Sequence, residues 1–201
     1  MMAVKSKAIP FMPAPKGLDD SMPGYAGFDP LGLSAIDGDF LEFMVPKAAS
    51  MREGIVDASY WMREAEIKHC RLAMLAVAGW VAVDMGLRLP GSKYVDLTSI
   101  SAHDAMVSSG NMVPQSLPHV PIAGAVMLLE IIGGAAIFQA ANGSGRQPGV
   151  FYFDPLGLAK DPAKSARYAT SEIKNGRLAM LAFGGIATQS VLTGHSFPYL
   201  F

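Results

Sequence analysis

The chain has 201 residues, 51% of them apolar and 16% charged, with a net charge of −1. A soluble domain carries about 25% charged residues, so the composition leans towards a membrane, and the lack of a basic excess argues against a nucleic-acid partner. Cys70 is the single cysteine, which excludes an intrachain disulfide and reads as a small buried thiol. The opening stretch, MMAVKSKAIPFMPAPKGLDD, has no signal-peptide core and is too short and proline-rich for a transit helix, as expected of a mature chain without its targeting segment.

Three segments have membrane character, at about 60–87, 120–141 and 171–194. In the first, Leu72–Val83 is free of charge but too short for a span of about 20 residues, so Glu66, His69 and Arg71 must enter the span. The second carries Glu130 as its sole charge. The third again needs a Glu/Arg motif inside the helix, Glu172 and Arg177. With three crossings, Lys5, Lys7, Lys16, Lys47, Arg52, Arg63, Arg146, Lys160, Lys164 and Arg167 share one side. Arg88 and Lys93 lie on the other. That asymmetry puts the N-terminus on the cytoplasm-like face, the stroma in a plastid. Between the first two spans, LTSISAHDAMVSSG reads as a short amphipathic helix stopped at Gly110.

The chain repeats itself. GFDPLGLSA at 27–35 returns as YFDPLGLAK at 152–160, and AEIKHCRLAMLAVAGWV at 65–81 returns as SEIKNGRLAMLAFGGIA at 171–187. The copies, about 27–81 and 152–187, form a single domain covering 1–201, with a longer arm in the first. Asp29 and Asp154 are expected to N-cap a turn that starts with Pro30 or Pro155 and ends at Gly32 or Gly157.

Glu66 and His69 share a helix face, whereas Arg71 lies about 140° round the axis from Glu66. An unpaired charge at membrane depth costs about 2.5–3.5 kcal/mol or more, so each charge needs a partner elsewhere. The first and third spans run the same way and can be related by a pseudo-twofold axis along the membrane normal. That axis would pair Glu66 with Arg177 and Glu172 with Arg71, while Ala73, Ala76, Ala179 and Ala182 allow close approach. A purely structural clamp is one reading. The other uses the remaining carboxylate oxygen, with His69 and Asn175 beside it, as lone axial donors to magnesium in a porphyrin.

The doubled E-x-x-[HN]-x-R-x-A-M, each copy behind an FDPLGL loop, resembles the light-harvesting chlorophyll-binding family over about residues 24–197. AIPFMPAPKGLD and the short length resemble the fucoxanthin chlorophyll a/c-type antennae of red-lineage algae. The resemblance implies an all-α membrane fold: three transmembrane helices, the first and third crossed about the pseudo-twofold, plus short amphipathic helices. It implies chlorophyll a, chlorophyll c and a carotenoid such as fucoxanthin or a related xanthophyll. Glu66, His69, Glu172 and Asn175 would ligate chlorophyll magnesium, and Glu130 and Gln189 match further ligand positions. His103 could hold a peripheral chlorophyll and His195 another; either could equally be solvated. Arg71 and Arg177 would be the ion-pair partners, and the loops at Asp29–Pro30 and Asp154–Pro155 would seat carotenoid ends.

Such a protein is an antenna and not an enzyme. It would sit in the plastid thylakoid membrane among lipid and neighbouring antenna subunits, and pass excitation to a photosystem core, photosystem I by preference. The alternatives are a photoprotective quencher using Asp84, Asp96 and Asp104, or a pigment-free membrane protein with a helix clamp. A di-iron enzyme fits poorly because Asn175 stands where it needs His, and a transporter would need broken helices. Tyr60, Trp61, Trp80 and the closing FPYLF read as interfacial anchors or pigment contacts, and Asp84 and Arg88 as rim charges.

Overall fold

The computed structural model describes residues 5–15, 17–18, 20–35, 58–88, 95–108 and 122–199. Four α-helices appear among them: α1 (Ala58–Asp84), α2 (Ser99–Ser108), α3 (Ile122–Ala141) and α4 (Pro162–Thr193). A short 3₁₀ turn covers Leu33–Ala35. Among the described residues there is no strand, only an isolated bridge between Lys5 and Pro13. The chain is therefore all-helical there, as expected. Lys16, Lys47, Arg52, Lys93, Gly110, Val120, Leu200 and Phe201 lie outside the described residues.

The helix ends follow local chemistry more closely than hydropathy. α4 starts nine residues before the expected 171. Asp161 Oδ1 accepts the Ala163 amide at 3.0 Å and Pro162 occupies the first helical position, whose N–H would be orphaned anyway. Lys164 and Arg167 therefore stand on α4 instead of in the connecting loop. α1 ends in a Schellman cap: Gly86, at φ +89°, donates to Val83 O at 3.0 Å and Leu87 to Ala82 O at 2.9 Å. α2 is the expected loop helix, begun by Thr98, whose Oγ1 accepts the Ser101 amide at 3.3 Å while Ser101 Oγ accepts that of Thr98 at 3.2 Å. By length and composition α3 alone, over Gly124–Ala141 with mean hydropathy 1.7, suffices to cross a membrane among the described residues. α1 and α4 fall short because the motif charges sit inside them.

The residues group into two units, Met1–Cys70 with Ala136–Gly176, and Arg71–Ala135 with Arg177–Phe201. In the first, α1 and α4 meet at Cys70 and Gly176, the same place in the two repeat copies. A Cβ on Gly176 would lie 2.2 Å from Cys70 Cβ. Ile67, Cys70 and Ile173 are buried around this contact. One turn earlier, Tyr60, Glu64 and Ile67 form one face of α1, and the segment 146–149 docks there. Arg146 Nη2 donates to Glu64 Oε1 at 2.9 Å and Arg146 Nη1 to the Tyr60 hydroxyl at 2.8 Å. The Gly149 amide donates to Glu64 Oε2. Glu64 is 2% and Arg146 6% exposed. Burial opposes the Arg146 charge, but the hydrogen bonds and charge of Glu64 outweigh it and raise its pKa further. This ion pair was not legible as such; Arg146 looked like an ordinary loop cation and Tyr60 like an anchor.

In the second unit, Trp80 meets Phe183 edge-on at 5.8 Å. Asp84 and Arg88 are not mere rim charges. Asp84 accepts from Ser99 Oγ at 2.6 Å, the Tyr199 hydroxyl at 2.8 Å and the Phe197 amide at 3.3 Å. It thus ties α2 and the C-terminal tail to the end of α1. Arg88 donates to the carbonyls of Leu87, Val95 and Leu97 at 3.0, 3.1 and 2.9 Å, and to that of Val83. Burial, then the hydrogen bond to Asp84, push the Tyr199 phenol up to about 12. A phenol raised above its ordinary 10.0 stabilises the fold below that pH and loses the contribution as pH rises through about 12. Ultraviolet titration is expected to show this late tyrosine, and Asp84→Asn to return it towards 10.0; an unchanged titration would disprove the contact.

Candidate functional site

On α1, Glu66 is partly exposed and pairs with Arg63, one turn earlier, at 2.7 Å. Arg63 lies at i−3 of Glu66 and is well placed for a helical pair, a partner within α1 that the sequence reading did not name. Arg71 and Arg177, both half-buried, belong to the second unit, whereas Glu66 and Glu172 belong to the first.

His69 is exposed, with Nδ1 2.7 Å from the Ala65 carbonyl oxygen. A carbonyl only accepts, so Nδ1 is the donor of this contact, and in the neutral ring Nε2 is the acceptor. On α4 the equivalent Asn175 is also exposed. Its Nδ2 donates to Ser171 O at 2.9 Å and Ser171 Oγ at 3.2 Å, which leaves the amide oxygen as the acceptor of the side chain. In both copies, then, a side-chain nitrogen is anchored to the backbone one turn back and a single acceptor is presented. This is how a ligand is oriented towards a metal by its outer hydrogen bond.

The surroundings suit a flat apolar ligand. Leu72, Leu75, Leu178 and Leu181, the same leucines of the two copies, are 67, 72, 65 and 77% exposed. Outward leucines at matched places mark a surface covered by something apolar. No three His, Cys, Asp or Glu side chains gather among the described residues to hold a bare cation. Lone donors on apolar helices instead fit a magnesium already held by four macrocycle nitrogens, which needs one axial ligand.

The other expected ligands are scattered. Gln189 is exposed on α4, Glu130 exposed on α3, and His195 exposed just beyond α4. His103 lies on α2, with its side chain outside the described residues. Both FDPLGL turns form, closed by the Gly32 and Gly157 amides on Asp29 O and Asp154 O, with Pro30 and Pro155 exposed, but the aspartate side chains cap the residues just past each glycine and not the turn itself. Asp29 accepts from the amides of Leu33 and Ser34 at 2.8 and 2.9 Å, and Asp154 from those of Leu158 and Ala159 at 3.0 and 2.9 Å. The Ala159, Leu158 and Gly157 amides hold the Asp154 carboxyl below the usual aspartate value. At Asp29 burial works the other way but is outweighed by the Ser34 hydroxyl and the turn amides.

The sequence matches the profile of the chlorophyll A-B binding protein family over residues 14–191. It is 34% identical to chlorophyll a-b binding protein 1B-21 of Hordeum vulgare, over 94% of this chain and 68% of that protein. It is 32% identical to chlorophyll a-b binding protein 6 of Arabidopsis thaliana, over 90% of this chain and 66% of that one. Photosystem I chlorophyll a/b-binding protein 3-1 of Arabidopsis thaliana is 29% identical over 88% and 67%. The chain spans about two thirds of the length of each.

Proposed function

Because this chain belongs to the chlorophyll a-b binding protein family, whose members are pigment-binding light-harvesting proteins and not enzymes, we propose that it is a three-span thylakoid antenna holding chlorophylls and carotenoids. The observation that carries this is the matched pair of anchored donors, His69 Nε2 and Asn175 Oδ1, at one repeat position on α1 and α4. α1 and α4 cross about a pseudo-twofold at the Cys70–Gly176 contact, and Glu66 and Glu172 are each completed by the arginine of the other copy, Arg177 and Arg71. Glu66, Glu172, Glu130, Gln189, His103 and His195 would supply further magnesium ligands, and the two FDPLGL loops would seat carotenoid ends.

Bound chlorophyll supplies light absorption and excitation transfer. The chain's part is to fix each magnesium by one lone pair and to exclude water with outward leucines. The red-lineage resemblance favours chlorophyll c and a fucoxanthin-type xanthophyll, and the name of the photosystem I relative favours that photosystem as partner. The basic N-terminal side faces the stroma.

Refolding the full chain with chlorophyll and carotenoid tests this residue by residue. His69→Phe is expected to lose one chlorophyll per chain and to keep the rest. Full retention of chlorophyll by both His69→Phe and Asn175→Leu would refute the donor assignment.

A further inference from the structure

The two FDPLGL loops share a backbone but differ at one position. Two residues ahead of the aspartate the chain turns left-handed in both, with φ +67° at Gly27 and +54° at Tyr152. At the first loop glycine is favoured. A Cβ on Gly27 would lie 3.2 Å from the Lys7 amide nitrogen and 3.3 Å from the Tyr25 hydroxyl, because the N-terminal arm folds over it and Ser6 Oγ donates to Gly27 O. Lys7 also sits over the Tyr25 ring at 5.5 Å. The first loop is thus covered by the chain's own arm.

The second loop carries Tyr152 in the same conformation, which a tyrosine adopts at a cost that glycine avoids. Its side chain is 84% exposed. It stands between Phe151, whose ring lies 4.6 Å from the Arg146 guanidinium, and Phe153, 86% exposed, with Leu156 78% exposed on the same turn. The segment beneath is pinned to α1 by the buried Glu64–Arg146 pair. A rigid base therefore holds a strained aromatic outward, and strain at such a place is retained for what the residue touches outside its own packing.

We propose that Tyr152 makes the second loop selective for an oxygenated carotenoid; this rests on the reading of the loops as carotenoid seats. The ring covers the carotenoid's end ring, and the phenol O–H donates to a hydroxyl or keto oxygen on it, the use that suits an aromatic with a polar tip. Gly27 offers neither contact, so the two seats differ in what they take.

The full chain is refolded with chlorophyll and an equimolar mixture of a hydrocarbon carotenoid, β-carotene, and a dihydroxylated one, zeaxanthin. Tyr152→Phe is expected to lower the preference for zeaxanthin roughly fivefold, the share that one hydrogen bond carries. Tyr152→Gly is expected to lower the carotenoid-to-chlorophyll ratio with the melting temperature held, since it relieves the turn. Tyr152→Asn, which also tolerates a left-handed backbone, is expected to do the same and serves if the glycine variant folds poorly. Wild-type carotenoid content and preference in all three variants would overturn the proposal. A wild-type chain that takes up chlorophyll but no carotenoid would instead remove the seat reading, and the proposal with it.

Discussion

Glu64→Ala is expected to destabilise the protein by about 3–5 kcal/mol, because it leaves the Arg146 guanidinium buried without its counter-charge. Arg146 is 6% exposed and pairs with Glu64 at 2.9 Å. The same change frees the Gly149 amide, which donates to Glu64 Oε2, so the segment leading into the second FDPLGL loop keeps only the Arg146–Tyr60 hydrogen bond of its polar anchors described on α1. Replacing both members, Glu64→Leu with Arg146→Met, removes the buried charges together and is expected to recover most of the loss. The measurement is denaturant or thermal unfolding of the refolded chain in detergent. A Glu64→Ala variant within about 0.5 kcal/mol of wild type, the range of an ordinary surface change, would show that the pair is not what pins the loop.

Gly176→Ala is expected to cost about 1–3 kcal/mol or more, the range for an overpacked core. The added methyl would meet Cys70 Cβ at 2.2 Å, Sγ at 2.5 Å and Cα at 2.9 Å. Sγ can swing away, but Cβ and Cα cannot, so the two helices must part. Parting them moves α1 against α4 beside His69 and Asn175, so chlorophyll binding is expected to fall with stability. Since Cys70 and Gly176 hold the same place in the two repeats, the exchange Cys70→Gly with Gly176→Cys puts the side chain back from the other helix and is expected to restore binding. Equal damage from the exchange and from Gly176→Ala would argue against a two-fold relation at this contact.

The residues explain why some of this architecture could be read in advance and some could not. The FDPLGL turns were legible because Asp, Pro and Gly each act on the backbone within five residues. The helix bodies were legible from their apolar runs, but the start of α4 was set by Asp161 and Pro162, a signal that a search for apolarity passes over. Glu64 and Arg146 were missed because their meeting joins positions 82 residues apart, and nothing local marks either one as buried. Asp84 was underrated for the same reason, as its partner Tyr199 lies 115 residues on. His69 and Asn175 could be named from the repeat, but which of their atoms is tied to the helix backbone was set only by the geometry at Ala65 and Ser171.

The central claim is that lone donors on these helices hold chlorophyll. The direct measurement is the chlorophyll content and absorption spectrum of the full wild-type chain, refolded in detergent with and without chlorophyll and purified. The account predicts that the chain folds stably only with pigment and leaves the column with chlorophyll bound and red absorption bands. A chain that folds as stably without pigment, and takes up none when chlorophyll is offered, would contradict it.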